Sequence, residues 1–455
     1  MTYLRTGLSL TATLALTVSY LPPAFAQGGP GASGTLSITQ GIEFSDNFDL
    51  DSATSGTTTT LRTGLSFGYQ SVTRAESLQF QIGTQILGEY GGGANDEFEF
   101  ENNTVSAGYT RQGANAALTF SGSYSEVDLE DSVISLGPSF GIGFGSGTLI
   151  IDDGQAAVTN LSASVQTGIN APFGLTLSAS YFEEDFTGTS DPSLIDRDIV
   201  SFDALADFRV NPARSFRALA GISTESEAGA ISDTDNSYIG VGVGGATAGG
   251  LNYTGDLLFD RSEFNGVVDD GFGVNVSVTQ DRPRGPIGFL FASRIDDSGR
   301  RTSAIANRTI ALPDGSLGFS LGVVDQEGDD SIRPTGSLSY QKDTKDGSLT
   351  ASLTQAPSID AGTVYGNTSL ALGYTQSINA VSGWAADVTY TSVDELNGIM
   401  DDERTTARIT YTRSLTPEWQ MNTGFQHIRE IEDSGPTETS NTVFFNIRRD
   451  ITFGF

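Results

Sequence analysis

Few residues in this chain of 455 are equipped for chemistry. There is one histidine, His427, and no cysteine. A hydrolase would set its histidine beside a serine or aspartate as acid–base partner. His427 follows Phe425 and Gln426 with no nucleophile motif around it, and it reads as a strand-end residue. The lack of cysteine removes disulfides, iron–sulfur clusters, thiolate zinc sites and a lipid-modified anchor together. Glycine-rich residues 240–250 read as a strand and turn, not as the strand–helix junction that cradles phosphate. No enzyme activity and no cofactor are expected. Acidic clusters are the more prominent feature. Residues 325–330 and the run Asp401, Asp402 and Glu403 offer hard oxygen ligands of the kind that hold divalent cations such as Ca²⁺. Their spacing does not match an EF-hand loop, so solvated loop faces are the other reading.

The charge balance narrows the partners. There are 24 basic side chains against 56 acidic ones, a formal net charge of −32. Nucleic acid is excluded, because neutralising phosphates needs clustered Lys and Arg. The 55 glycines have no three-residue period, and 27 Phe with 14 Tyr are too many for a disordered chain. Residues 1–26 look like an address. Arg5 precedes a short apolar run over 7–21, Pro22 and Pro23 break it, and Ala24-Phe25-Ala26 fits a small-x-small cleavage site. This predicts a secretory signal peptide, with the mature chain starting at Gln27. Nothing after it approaches ~18 consecutive apolar residues, so a helical inner-membrane protein is excluded.

The mature chain is a series of segments in which apolar residues recur at every second position. Leu61, Leu65, Phe67 and Tyr69 alternate with Arg62, Gly64, Ser66 and Gly68. Phe202, Ala204, Ala206 and Phe208 alternate with Asp203, Asp207 and Arg209. Phe272, Val274, Val276 and Val278 oppose Gly273, Asn275, Ser277 and Thr279. Period two means strands with one apolar and one polar face. We count about 22 such segments, within a range of 20–24, each about ten to fourteen residues long, the length of tilted strands that cross an outer membrane.

The connections alternate in kind. Short ones fall at 211–214, 281–286, 312–316, 342–347 and 415–418. Longer, acidic ones fall at 46–51, 96–101, 183–198, 225–235, 263–270, 325–330, 394–403 and 430–438. An up-and-down membrane barrel has two such unlike ends, with short periplasmic turns and long external loops. Tyr69, Tyr109, Tyr340, Tyr374 and Tyr411 lie near the short turns, and Tyr90, Tyr181 and Tyr390 near the acidic ones. Two tyrosine bands are the expected girdles at the membrane–water boundaries. The predicted fold is an all-β, transmembrane, up-and-down antiparallel barrel over 35–455, preceded by a short periplasmic segment at 27–34.

The last strand ends at Phe455, and the same face carries Phe453, Ile451, Arg449, Ile447, Phe445 and Val443. This resembles the closing strand of Gram-negative outer-membrane β-barrel proteins. The resemblance implies a location in the cell outer membrane, among its lipid and lipopolysaccharide. It also implies that Ile451, Phe453 and Phe455 form the signal read by the barrel-insertion machinery. Arg449 departs from the pattern, since a lipid-facing Arg costs up to about 2–4 kcal/mol near midplane. A bulge at Arg448 and Arg449 would flip the parity and resolve it. The first strand, with Leu36, Ile38, Ile42 and Phe44 outward, is expected to pair with the last and leave no edge.

A barrel of this size encloses water unless something fills it. With only 27–34 ahead of the first strand, no plug domain is expected, which separates the chain from TonB-dependent receptors. The candidate lumen lining is polar and of mixed charge: Arg62, Gln79, Gln81, Gln85, Asp203, Asp207, Arg209, Asp256, Arg294, Arg333, Asp387 and Arg408. The longest loop, 130–154, is the third external one, the position that folds inward and narrows the pore in general porins. Its glycines permit a tight fold, Phe140, Ile142 and Phe144 supply packing, and Glu130, Asp131, Asp152 and Asp153 would set a cation preference. An external hairpin or an added strand pair is the alternative. The leading reading is a passive, porin-like channel for small solutes or ions that prefers cations. The second is a structural or accessory barrel, for example in polysaccharide export or a cell-surface system.

Overall fold

A computed structural model of the chain describes residues 31–48, 50, 56–91, 98–129, 133–134, 148–149, 154–189, 194–211, 213–228, 233–296, 299–327, 331–360, 363–395, 401–431 and 435–454. The strands in the first half are β1 (Gly31–Ser45), β2 (Thr58–Val72), β3 (Glu76–Gly91), β4 (Phe98–Gln112), β5 (Ala116–Asp128), β6 (Val133–Ile134), β7 (Thr148–Leu149), β8 (Gln155–Thr167), β9 (Phe173–Thr187), β10 (Arg197–Asn211), β11 (Arg214–Glu227) and β12 (Thr234–Ala246). Those in the second are β13 (Leu251–Phe264), β14 (Val267–Gln280), β15 (Ile287–Asp296), β16 (Gly299–Leu312), β17 (Gly315–Gln326), β18 (Arg333–Thr344), β19 (Gly347–Asp360), β20 (Thr363–Asn379), β21 (Ser382–Glu395), β22 (Asp401–Ser414), β23 (Trp419–Ile431) and β24 (Glu438–Gly454). All but β6 and β7 form one 22-stranded antiparallel sheet in which each strand pairs with the next, and β24 pairs back onto β1. The sheet is a closed barrel. Among the described residues there is no helix and no plug. β1 begins at Gly31, inside the segment expected to precede the barrel, and its first residues already pair with the end of β2.

Period-two sequence gives each strand two unlike faces. The outward face holds the large apolar side chains in the open, with Phe272 67% and Leu321 70% exposed. Such a continuous apolar exterior suits lipid and not water. Tyr340, Tyr374 and Tyr411 lie on it toward the short turns, and Tyr90, Tyr181 and Tyr390 toward the long connections. With this belt, the chain has the exterior of an integral membrane β-barrel.

The closing seam is held by more than ladder bonds. Ser33 opposes Gly454 and the pairing continues without a shift to Ser45 and Thr442. On the inner face, Ser37 donates from Oγ to Asp450 Oδ1 at 2.6 Å, and Arg448 donates to both Asp450 (2.7 Å) and Ser37 (3.1 Å). The register is unbroken, so no bulge at Arg448 and Arg449 flips the parity and Arg449 stays outward. Its charge is accommodated in another way. Arg449 pairs with Glu418 of the short β22–β23 turn at 3.2 Å and lies over the Trp419 ring, 5.4 Å from its centroid. It therefore sits at the membrane boundary, where an outward Arg costs only ~0–1 kcal/mol.

Arg308 has no such help. It faces outward between Ile287 and Phe319, one outward position inside the level of Tyr340, and its buried Nε has no hydrogen-bond partner. Arg308→Leu is expected to stabilise the barrel by about 1 kcal/mol in a zwitterionic bilayer, the size of the penalty near an interface. Guanidinium unfolding in phosphatidylcholine vesicles measures this, and a destabilised variant would show that Arg308 makes a favourable contact.

Candidate functional site: the inner wall

The inward parity places Arg62, Gln79, Gln81, Gln85, Asp203, Asp207, Arg209, Asp256, Arg294, Arg333, Asp387 and Arg408 on one continuous surface. Most of its charges lie flat in pairs. Arg62 meets Glu43 at 3.1 Å and Glu101 at 3.8 Å. Arg209 donates to Asp207 at 3.0 Å and to the carbonyl oxygens of Gly168, Ile169 and Ala171 in the β8–β9 turn. Asp387 and Arg408 oppose one another in register, and Arg408 stacks 4.5 Å from the Phe444 centroid. Gln79 and Gln81 are exposed, while Gln85 is half-buried.

The densest part spans β10 to β15. Tyr238 donates its hydroxyl to Asp203 Oδ1 at 2.8 Å. Arg294 lies over the Tyr238 ring at 5.1 Å and grips Asp260 with Nε and Nη2 at 2.7–3.0 Å. Beside it, Arg217 reaches both oxygens of Asp256 at 3.0 Å. Glycines make room for this layer. A Cβ at Gly221 would overlap the Tyr238 ring, one at Gly240 would overlap Leu258, and one at Gly273 would overlap Asp260. The inward glycines are therefore seats for the large side chains of neighbouring strands. Sequence reading missed Arg217, Tyr238 and Asp260. Arg217 stands directly across from Asp207 in register, and Tyr238 falls on the polar parity of β12, so alternation alone pointed to both.

Burial along the wall is uneven. Toward the long connections the inward residues are buried on nearly every strand, among them Thr60, Glu101, Glu184, Asn236, Ser262, Asn367, Arg404 and Ser440. Toward the short turns the wall opens, as at Gln70, Gln79 and Gln81. The inner wall is thus buried toward one end and accessible toward the other.

Two short strands of the β5–β8 connection are described. Within it β6 pairs with β7, and β7 has Cα atoms within 8 Å of β21 and β22. Going round the sheet from β8 to β22 takes eight steps, through β5, β4, β3, β2, β1, β24 and β23. At ~4.8 Å per strand that path is at least ~38 Å. Leu149 is six residues from Gln155, a reach of at most ~22 Å, and the further 8 Å does not make up the difference. The paired β6 and β7 therefore lie across the opening from β8 and not along the rim. The candidates Glu130, Asp131, Phe140, Phe144, Asp152 and Asp153 lie outside the described residues, as does Phe455. Ile451 and Phe453 face outward, opposite Leu36 and Gly34.

His427 is on the outward face, where Nδ1 contacts Asn441 Oδ1 at 2.9 Å, and Asn441 donates from Nδ2 to Asp46 at 2.9 Å. The chain of contacts ties the loop end of the seam. Among the described residues, no three His, Asp or Glu side chains converge in a group that could hold a metal ion.

No protein-family model matches the sequence, and no curated protein resembles it closely enough to register. Solved structures do match. A variant of the ferric enterobactin receptor PfeA from Pseudomonas aeruginosa superposes with a TM-score of 0.56 at 10% identity, over 94% of this chain and 81% of that one. The siderophore receptor PirA from Acinetobacter baumannii gives 0.55 at 8% identity, over 94% and 81%. The FrpB iron transporter from Neisseria meningitidis gives 0.57 at 9% identity, over 93% and 83%. At such identities the likeness establishes a shared fold, that of Gram-negative outer-membrane barrels.

Proposed function

We propose that the barrel is a passive channel for small solutes and ions that favours cations, with no catalytic step. The observation that carries this reading is the inward face, which carries polar and charged side chains on strands all round the barrel, beside buried apolar ones such as Leu219 and Leu258, and is open toward the short turns. Its arginines are largely held by wall carboxylates, so the excess behind the net charge of −32 rests on acids elsewhere, many of them in the long connections. An acidic mouth concentrates cations and repels anions, more weakly as salt rises. The position of β7, near β21 and β22 and away from β8, supports a constriction at the mouth. The siderophores of the structural neighbours are not carried over, because at about a tenth identity the likeness is one of fold alone.

The test is the reversal potential of the refolded barrel in a planar bilayer under a KCl gradient. Cation selectivity that fades with ionic strength is the expected result. An anion-selective or unselective current would overturn the cation preference. Silence from a folded barrel would favour the structural or export-accessory role, which the buried wall at the loop end already suits.

A further inference from the structure

We propose that the open, short-turn half of the lumen carries a subsite for a neutral, polyhydroxylated solute of mono- to disaccharide size; the inference rests on the channel reading and names a solute class for it. A recess of 340 Å³ lies in the wall formed by β8 to β14, between the Arg209–Asp207 and Arg217–Asp256 pairs. Ligand sites run from about 300 to 1,000 Å³, so this one suits a small molecule. Glycine creates it. A Cβ at Gly244 would come within 3.3 Å of Ser215 Oγ and 3.5 Å of Arg217 Cδ, and one at Gly174 within 3.4 Å of Arg209 Nη2. A larger residue at either position would narrow the recess.

The chemistry of the lining selects the class. Both guanidiniums have a carboxylate partner, Arg217 through Nη1 to the two oxygens of Asp256 and Arg209 through Nε to Asp207, with Arg209 Nη1 also donating to three carbonyls. An anion meets guanidiniums whose charge is already balanced by Asp256 and Asp207, and a cation meets carboxylates that are already neutralised. What remains unused is hydroxyl and amide, together with guanidinium N–H groups that can donate to a neutral oxygen. The side chains of Gln166, Thr176, Asn252, Thr254, Ser277 and Thr279 line the recess and make no hydrogen bond to another protein group. Six neutral donor–acceptor groups on one concave surface match the closely spaced hydroxyls of a sugar ring, each of which both donates and accepts. Fixed charges at the two edges keep the wall rigid without competing for the solute.

Saturation-transfer NMR on the refolded barrel tests this with sucrose and glucose as probes, and with glutamate and lysine as charged controls. Transfer to the sugars and not to the controls is expected. Thr254→Leu combined with Ser277→Leu should weaken sugar binding roughly ten-fold, the loss of about two hydrogen bonds. If that variant does not fold, Gln166→Leu at the edge of the recess should give a smaller loss in the same direction. Equal transfer to glutamate, or sugar binding indifferent to all three substitutions, overturns the subsite. Potassium conductance of the unmodified barrel is recorded in parallel. Conductance without sugar binding ends this inference and leaves the channel standing, whereas sugar binding without conductance does the reverse.

Discussion

Excising residues 132–148 from the β5–β8 connection is expected to raise single-channel conductance several-fold and to weaken cation selectivity. The removed segment contains β6, the whole stretch leading to β7 and Thr148 of β7, whose backbone approaches β21 and β22. Conductance scales with the open cross-section at the narrowest point, and the wall itself is fixed by continuous ladders on both sides of the gap. The flanking strands β5 and β8 pair along their whole length without help from the loop, so the barrel should refold. A planar-bilayer recording of both forms decides the matter. Unchanged conductance would leave the channel and remove the constriction from the mouth. A pore that becomes larger yet more cation-selective would place the selecting carboxylates elsewhere.

The second large effect is on stability. Arg294→Met should destabilise the barrel by about 3–5 kcal/mol, because it strands a buried carboxylate without its partner. Asp260 is only 1% exposed and takes its main neutralisation from Arg294, with one added bond from the Ile295 amide. Adding Asp260→Asn removes the charge while keeping an acceptor for that amide, and should recover most of the loss. The two single variants and the double variant, unfolded in lipid vesicles, form a cycle that separates the pair from its surroundings. A double variant as unstable as Arg294→Met alone would mean that the loss came from packing over the Tyr238 ring, not from the unpaired charge.

Much of the barrel was legible because each membrane strand needs only local information. The alternation of Phe202, Ala204, Ala206 and Phe208 with Asp203, Asp207 and Arg209 places β10 and both its faces without reference to any other strand. Strand number and the two unlike ends follow by repetition. The surroundings of Arg449 were not legible, since its relief comes from Glu418 and Trp419, thirty residues earlier in the chain and adjacent only through pairing. The Tyr238 network fails for a related reason. An aromatic residue on the polar parity looks like an exception until Gly221, on the next strand, is seen to leave space for it. The course of the longest loop depended on which wall faces it, a property of closure that no run of residues carries. The siderophore-receptor neighbours make a similar point: expecting no plug set this chain apart from TonB-dependent receptors, and the barrel wall alone still matches theirs.

The seam between β1 and β24 has a kinetic meaning. Ser37 and Asp450, which meet there at 2.6 Å, are 413 residues apart in the chain. Every other neighbouring pair of barrel strands can form as soon as its hairpin exists, so the sheet grows by local steps and only the last step is non-local. Until β24 is available, the growing sheet presents two bare edges, β1 on one side and the newest strand on the other, each a template for another molecule. The hazard therefore lasts as long as synthesis and delivery of the whole chain, and it ends in a single event. For this protein the ladder along Ser33–Ser45 is less a source of stability than the moment at which the chain stops being able to aggregate.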